Sequence, residues 1–211
     1  MRIPRIIKVL VSGSVFLSLA TAMADPVPVI DQVQEDWSLV VASPDLDGVG
    51  PQITTCMSPV SDNSTPFVAF DMNYREFPSF SAGGLQLQVW SNGRVPTTCT
   101  QETAQLATAN ETITWTQQIS LSNNNLNYDI LGGKSTTWGR FGQGNGNLSI
   151  SFATTINDLS AYSPDYSLAK SGVTWESNHV SSMTLVQVRY YSGGQLVSTD
   201  TKSRPVNLGN N

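Results

Sequence analysis

Gly83-Gly84-Leu85-Gln86-Leu87-Gln88-Val89-Trp90-Ser91-Asn92-Gly93 decides the fold class. Leu85, Leu87 and Val89 alternate with Gln86, Gln88 and Trp90. A period of two belongs to a β-strand, whose successive side chains point to opposite faces. Three aliphatics therefore face one way, and three larger, partly polar groups face the other. Asn92-Gly93 supplies a pair that tolerates positive φ in a tight hairpin. The stretch reads as one interior strand of a β-sandwich.

The same period recurs on either side. Trp37, Leu39 and Val41 share a face of a first strand over 35–42, and 52–57 and 67–72 read as short strands. Pro78 sits in a crossing loop over 73–82, and Pro96 limits the partner of Arg94 and Val95 to a short or edge strand. Residues 101–109 alone have a helical composition. Ile113, Trp115, Gln117, Ile119 and Leu121 alternate with Thr112, Thr114, Thr116, Gln118 and Ser120. Asn123-Asn124-Asn125 turns the chain, and Leu126, Tyr128 and Ile130 return on one face, which makes a long hairpin with a polar outer side. A glycine-rich loop over 132–146 follows. Further strands are expected near 148–152, 173–176, 183–191 and 195–200, the last two joined at Gly193-Gly194. About ten strands and almost no helix predict an all-β, antiparallel, jelly-roll-like sandwich. It forms one domain over 35–200, after an extended lead-in at 25–34 and before a polar, fraying C-terminal tail at 201–211.

The first 24 residues read as a signal peptide. Arg2, Arg5 and Lys8 precede a mostly apolar run, and Ala22-Met23-Ala24 fits the small-x-small cleavage pattern. The alternative is an uncleaved anchor, but the run is interrupted by Ser12, Gly13 and Ser14 and is short for a bilayer. A mature start at Asp25 implies export to the periplasm or the extracellular space, with no integral membrane span once the leader is removed. Three of the eleven bases lie in the leader, while all sixteen acids lie beyond it. So acidic a product argues against nucleic acid as partner, because phosphate binding needs basic clusters. In an exported chain, Cys56 and Cys99 read most simply as one disulfide, closing a loop of about 44 residues and adding roughly 4 kcal/mol. Two buried thiols are the alternative.

Residues 113–138 resemble the long hairpin of concanavalin-like jelly rolls. Thr184-Leu185-Val186-Gln187-Val188-Arg189-Tyr190-Tyr191 resembles the closing strand of laminin-G-like lectin domains, which often carry a Val-Arg-aromatic-Tyr pattern. The chain as a whole is similar to exported proteins of unassigned function from environmental bacteria such as planctomycetes. These resemblances imply a fold; fold analogy does not license a function.

His179 is the one histidine, with no nucleophile-elbow pattern beside it, so it reads as a surface or loop-end residue. A single histidine also argues against the usual multi-histidine zinc sites, and no cofactor motif is present. Sandwich glycosidases use two acids facing a cleft. Here Glu111, Asp129 and Glu176 are scattered singly, and the adjacent Glu35 and Asp36 must point to opposite faces of a strand; each reads as a solvated charge. Asp45-Leu46-Asp47-Gly48 matches only the start of a calcium loop and reads as a turn. Trp37, Trp115 and Trp175 read as core. Trp138, with Arg140 and Phe141, lies in the glycine-rich loop and is the candidate ligand contact, against the alternative that its ring covers a sheet edge. The reading is an exported, non-catalytic protein that binds a glycan or envelope component or serves structurally outside the cytoplasm. The alternative is a carbohydrate-active enzyme, a hydrolase or lyase, working through two carboxylates.

Overall fold

The computed structural model describes residues 27–43, 51–62, 64–72, 84–91, 97–103, 106, 108–137, 139–142, 148–174 and 177–209. The leader, the Asp45–Asp47 turn, the Asn92-Gly93 pair, Trp138, Trp175 and Glu176 lie outside them. In chain order the elements are β1 (Gln32–Val41), β2 (Gln52–Met57), β3 (Phe67–Met72), β4 (Gly84–Trp90), β5 (Thr97–Thr103), β6 (Thr112–Ser122), β7 (Asn125–Ser135), β8 (Gly139–Phe141), β9 (Ser149–Ala153), α1 (Pro164–Lys170), β10 (Gly172–Thr174), β11 (Val180–Ser192), β12 (Gln195–Asp200) and β13 (Arg204–Pro205). They form two antiparallel sheets of an all-β sandwich. The large sheet runs β12-β11-β1-β6-β7-β8, with β9 also on β7 and β13 also on β11; the small sheet runs β10-β2-β3-β4-β5.

Alternation explains which face closes on which. Val33, Trp37, Leu39 and Val41 of β1, and Ile113, Trp115 and Ile119 of β6, point inward from the large sheet. Ile53, Met57, Val68, Phe70, Met72, Leu85 and Leu87 answer from the small one, all within one core. Trp37 and Trp115 are cross-strand partners and stack at 6.0 Å with their planes 5° apart. Such a pair stabilises a sheet beyond its buried area by about 0.5–1.5 kcal/mol. Asn123 and Asn124 turn the long hairpin with φ of 50° and 58°. Asparagine tolerates that left-handed region better than most residues, and two such residues in succession match the twist of the flanking strands.

Four expectations are corrected. Residues 101–103 are not helical: β5 extends through them because its backbone pairs with β4. Residues 132–135 of the glycine-rich stretch belong to β7, paired with β6 and β8. The tail is docked rather than frayed: β13 pairs with β11, and Arg204 is buried while holding Asp165 at 2.7 Å and Asp200 at 2.6 Å. The expected disulfide is the fourth. Cys56 lies on β2 and Cys99 on β5, with β3 and β4 between them. Three strand spacings separate them by about 14 Å, and a disulfide needs Cα atoms within about 7 Å. Cys56 is a free, buried thiol that donates to the Lys170 carbonyl at 3.2 Å, and burial raises its pKa.

Candidate functional site

The small sheet has an unusual outer face. Its inward positions are aliphatic or aromatic apart from Thr55, so Gln52, Thr54 and Cys56, then Asp71, then Gln86, Gln88 and Trp90, point the other way. Thr54, Asp71 and Gln86 lie side by side across β2, β3 and β4. An outward row of this kind would ordinarily be solvated. Here Gln52, Asp71, Gln86 and Gln88 are all buried. Buried polar groups cost free energy unless partnered, so such a row is retained at some expense. Thr54 Oγ1 donates to Asp71 Oδ1, and Gln88 Nε2 donates to Gln86 Oε1 at 3.0 Å. Asp71 Oδ2 has no hydrogen-bond partner among the described residues. Burial pushes the Asp71 carboxyl up to about 7, against the opposing bond from Thr54.

The row ends in an aromatic pair. Phe67 and Trp90 are cross-strand partners, stacked at 6.2 Å with planes 5° apart. Trp90 is 37% exposed, which sets it apart from the buried Trp37 and Trp115. One face of one sheet thus carries a solvent-facing aromatic stack at the end of a row of amide, hydroxyl and carboxyl groups that are themselves closed off from solvent. The exposed ring suits the apolar face of an amphipathic, polyhydroxylated ligand, and the buried polar row fixes the strands that hold it.

The large sheet is polar on its outer face too. Asp36 accepts from Arg189 Nη2 at 2.7 Å, Gln187 Nε2 at 2.6 Å and Thr116 Oγ1 at 2.7 Å. Gln34 Nε2 donates to Gln118 Oε1 at 2.9 Å and the Tyr191 hydroxyl donates to Gln34 Oε1 at 3.1 Å. A depression of about 470 Å³ lies over Asp36, Thr116, Gly132 and Arg189. A second, of about 240 Å³, lies over Thr114, Gly132, Lys134 and Arg140.

Of the three residues singled out in the glycine-rich stretch, Trp138 lies outside the described residues, and Arg140 and Phe141 are not brought together as one platform. Arg140 is exposed on β8. Phe141, next in the strand, points to the opposite face, where it is 2% exposed and stacks on Phe70 at 6.1 Å. Phe141 is therefore a core side chain; alternation along β8 separates it from Arg140. His179 closes a single 3₁₀ turn and its Nδ1 bonds the Ser43 carbonyl.

Sequence reading missed a polar network inside the sandwich. Glu35 is fully buried between the sheets rather than solvated. Its carboxylate accepts from Trp37 Nε1 at 2.8 Å, from Gln117 Nε2 at 2.6 Å and from the Tyr162 hydroxyl. Gln117 Oε1 accepts in turn from Thr55 at 2.7 Å and Tyr128 at 2.9 Å. Burial raises the Glu35 carboxyl to about 7, although these bonds oppose the shift. The signal was present: Glu35 is in phase with Trp37 and Leu39, and Gln117 with Trp115 and Ile119. Glu111 is buried as well, bonded by the hydroxyls of Ser135 and Thr137.

Two pairs of acids can be placed against the spacing that a hydrolytic couple needs. Asp36 and Asp129 share the outer face of the large sheet, but the register sets them two strands and two residues apart, about 12 Å by strand geometry. Glycosidase couples span about 5–9.5 Å. Asp165 and Asp200 do converge, but on the guanidinium of Arg204. No group of three His, Cys, Asp or Glu residues converges as a metal site among the described residues.

No protein-family model and no curated protein matches this chain. Among solved structures, it is similar to scytalido-glutamic peptidase with a transition state analog inhibitor, at a TM-score of 0.39 and 13% identity, over 83% of this chain and 82% of that one.

Proposed function

We propose that this is an exported protein that binds a glycan without cleaving it, and that the ligand lies on the outer face of the small sheet. The observation that carries the reading is the solvent-facing Trp90, stacked on Phe67 and continuous with the buried row of Gln88, Gln86 and Asp71. A sugar ring has an apolar face for the exposed indole, and the buried row behind it braces the strands that carry the ring. The placement of the carboxylates favours binding over hydrolysis, since Asp36 and Asp129 lie too far apart and Asp165 and Asp200 are engaged by Arg204. Export rests on the basic, apolar leader and its Ala22-Met23-Ala24 site.

A glycan array probed with the parent protein and with Trp90→Ala tests this. The parent should retain at least one class of glycan, and the variant should lose about tenfold or more in affinity, the equivalent of about 1.4 kcal/mol. Because the ring is partly exposed, the melting temperature should move by only a few degrees. Retention unchanged by Trp90→Ala would remove the site, and a parent that holds no glycan would remove the function.

A further inference from the structure

We infer a second binding site, for the anionic groups of an acidic glycan, on the outer face of the large sheet around Lys134 and Arg140. The two residues are direct cross-strand partners on β7 and β8, and both are exposed. Like charges placed opposite each other in a sheet are destabilising, so the pair is costly to the free protein. No described carboxylate relieves it: Arg189 is paired with Asp36, and Arg204 with Asp165 and Asp200, while Lys134 and Arg140 form no ion pair among the described residues.

The cations also stand at a concavity. The depression beside them is lined by Thr114, Gly132 and Gly133. A Cβ on Gly132 would meet nothing within 4 Å, so the hollow there exists because that side chain is missing. At Gly133 a Cβ would stand 2.3 Å from the Phe141 ring, so the glycine lets that ring pack against the strand. The hollow shares Thr114 and Gly132 with the larger depression over Asp36 and Arg189. Together they form a track across β11, β1, β6, β7 and β8, with the unpaired cations at one end and Ser38, Thr114, Thr116, Val186 and the Asp36–Arg189 pair along the rest. An anionic group at the cations and hydroxyls along the track describe an acidic polysaccharide.

The shared chemistry is an anionic substituent, a carboxylate or a sulfate ester, and the probes separate the two. Binding of polygalacturonate, dextran sulfate and neutral dextran would be measured with the full chain, for the parent, for Lys134→Gln with Arg140→Gln, and for Lys202→Gln. The parent should bind at least one acidic polymer and not dextran, with affinity falling as salt is raised. The double variant should lose about tenfold or more and melt no lower than the parent. Lys202→Gln, which removes an exposed cation elsewhere on the surface, should bind the acidic polymer as the parent does, which separates this pair from the overall charge. Undiminished binding by the double variant, equal binding of neutral dextran, no binding of either acidic polymer, or tighter binding of a single-stranded oligonucleotide would each overturn the inference.

Discussion

Glu35→Ala would strand three buried donors at once: Trp37 Nε1, Gln117 Nε2 and the Tyr162 hydroxyl. Each buried group left unpaired costs about 1–3 kcal/mol. The loss should therefore be about 3–5 kcal/mol, read as a lower midpoint in urea denaturation. Glu35→Gln keeps the shape and an acceptor oxygen and should cost much less. If the alanine variant were as stable as the parent, the network would be decorative. A second prediction at this scale concerns Cys56. Its thiol is buried and three strands from Cys99, so alkylation of denatured, unreduced protein should modify both cysteines. An unmodified protein two protons lighter would mean that β2 and β5 are not separated by β3 and β4. The sequence carried half of each of these results. Adjacent Glu35 and Asp36 had to face opposite ways, but only the neighbouring strand says which side is the core. The Cys56–Cys99 pairing was inferred from compartment, and compartment says nothing about distance.

Elements with strong alternation were legible: the hairpin of β6 and β7 and its Asn123-Asn124 turn follow directly from periodicity and from the tolerance of asparagine for positive φ. Elements fixed by tertiary contact were not. β5 is strand because β4 offers it a ladder, and local composition there suggests helix. The outer face of β4 was read correctly as Gln86, Gln88 and Trp90, but its burial depends on what the rest of the chain does. The tail is the clearest case. Arg204 reaches Asp165 on α1 and Asp200 on β12, residues that no local pattern joins to it. Arg204→Ala should cost about 1–3 kcal/mol in lost hydrogen bonds and stem packing. The exposure of Asp165, 68%, keeps the purely ionic share small. A shifted urea midpoint with an unchanged slope is expected; no shift would return the tail to a frayed end.

For the whole molecule, two buried acids set the pH response. Glu35 and Asp71 each have a carboxyl raised to about 7, chiefly by burial. An acid whose folded pKa lies above its unfolded value binds more protons folded than unfolded between the two. Stability should then be highest near pH 4 and fall as the pH rises through 7, by up to about 1.4 kcal/mol per pH unit for each group. Asp62, Asp158 and Asp200, lowered by their hydrogen bonds, act the other way but only at lower pH. Melting temperatures from pH 4.5 to 7.5 should decline, and Glu35→Gln should flatten part of that decline; a rising curve would mean that neither acid is held protonated. Ligand contact is the central claim at this scale, and it can be mapped directly. A two-dimensional NMR titration of the full chain with a glycan it retains should shift the indole N–H of Trp90 and leave the indole N–H signals of Trp37 and Trp115 in place. Shifts confined to other faces, with the Trp90 signal unmoved, would contradict binding on the small sheet.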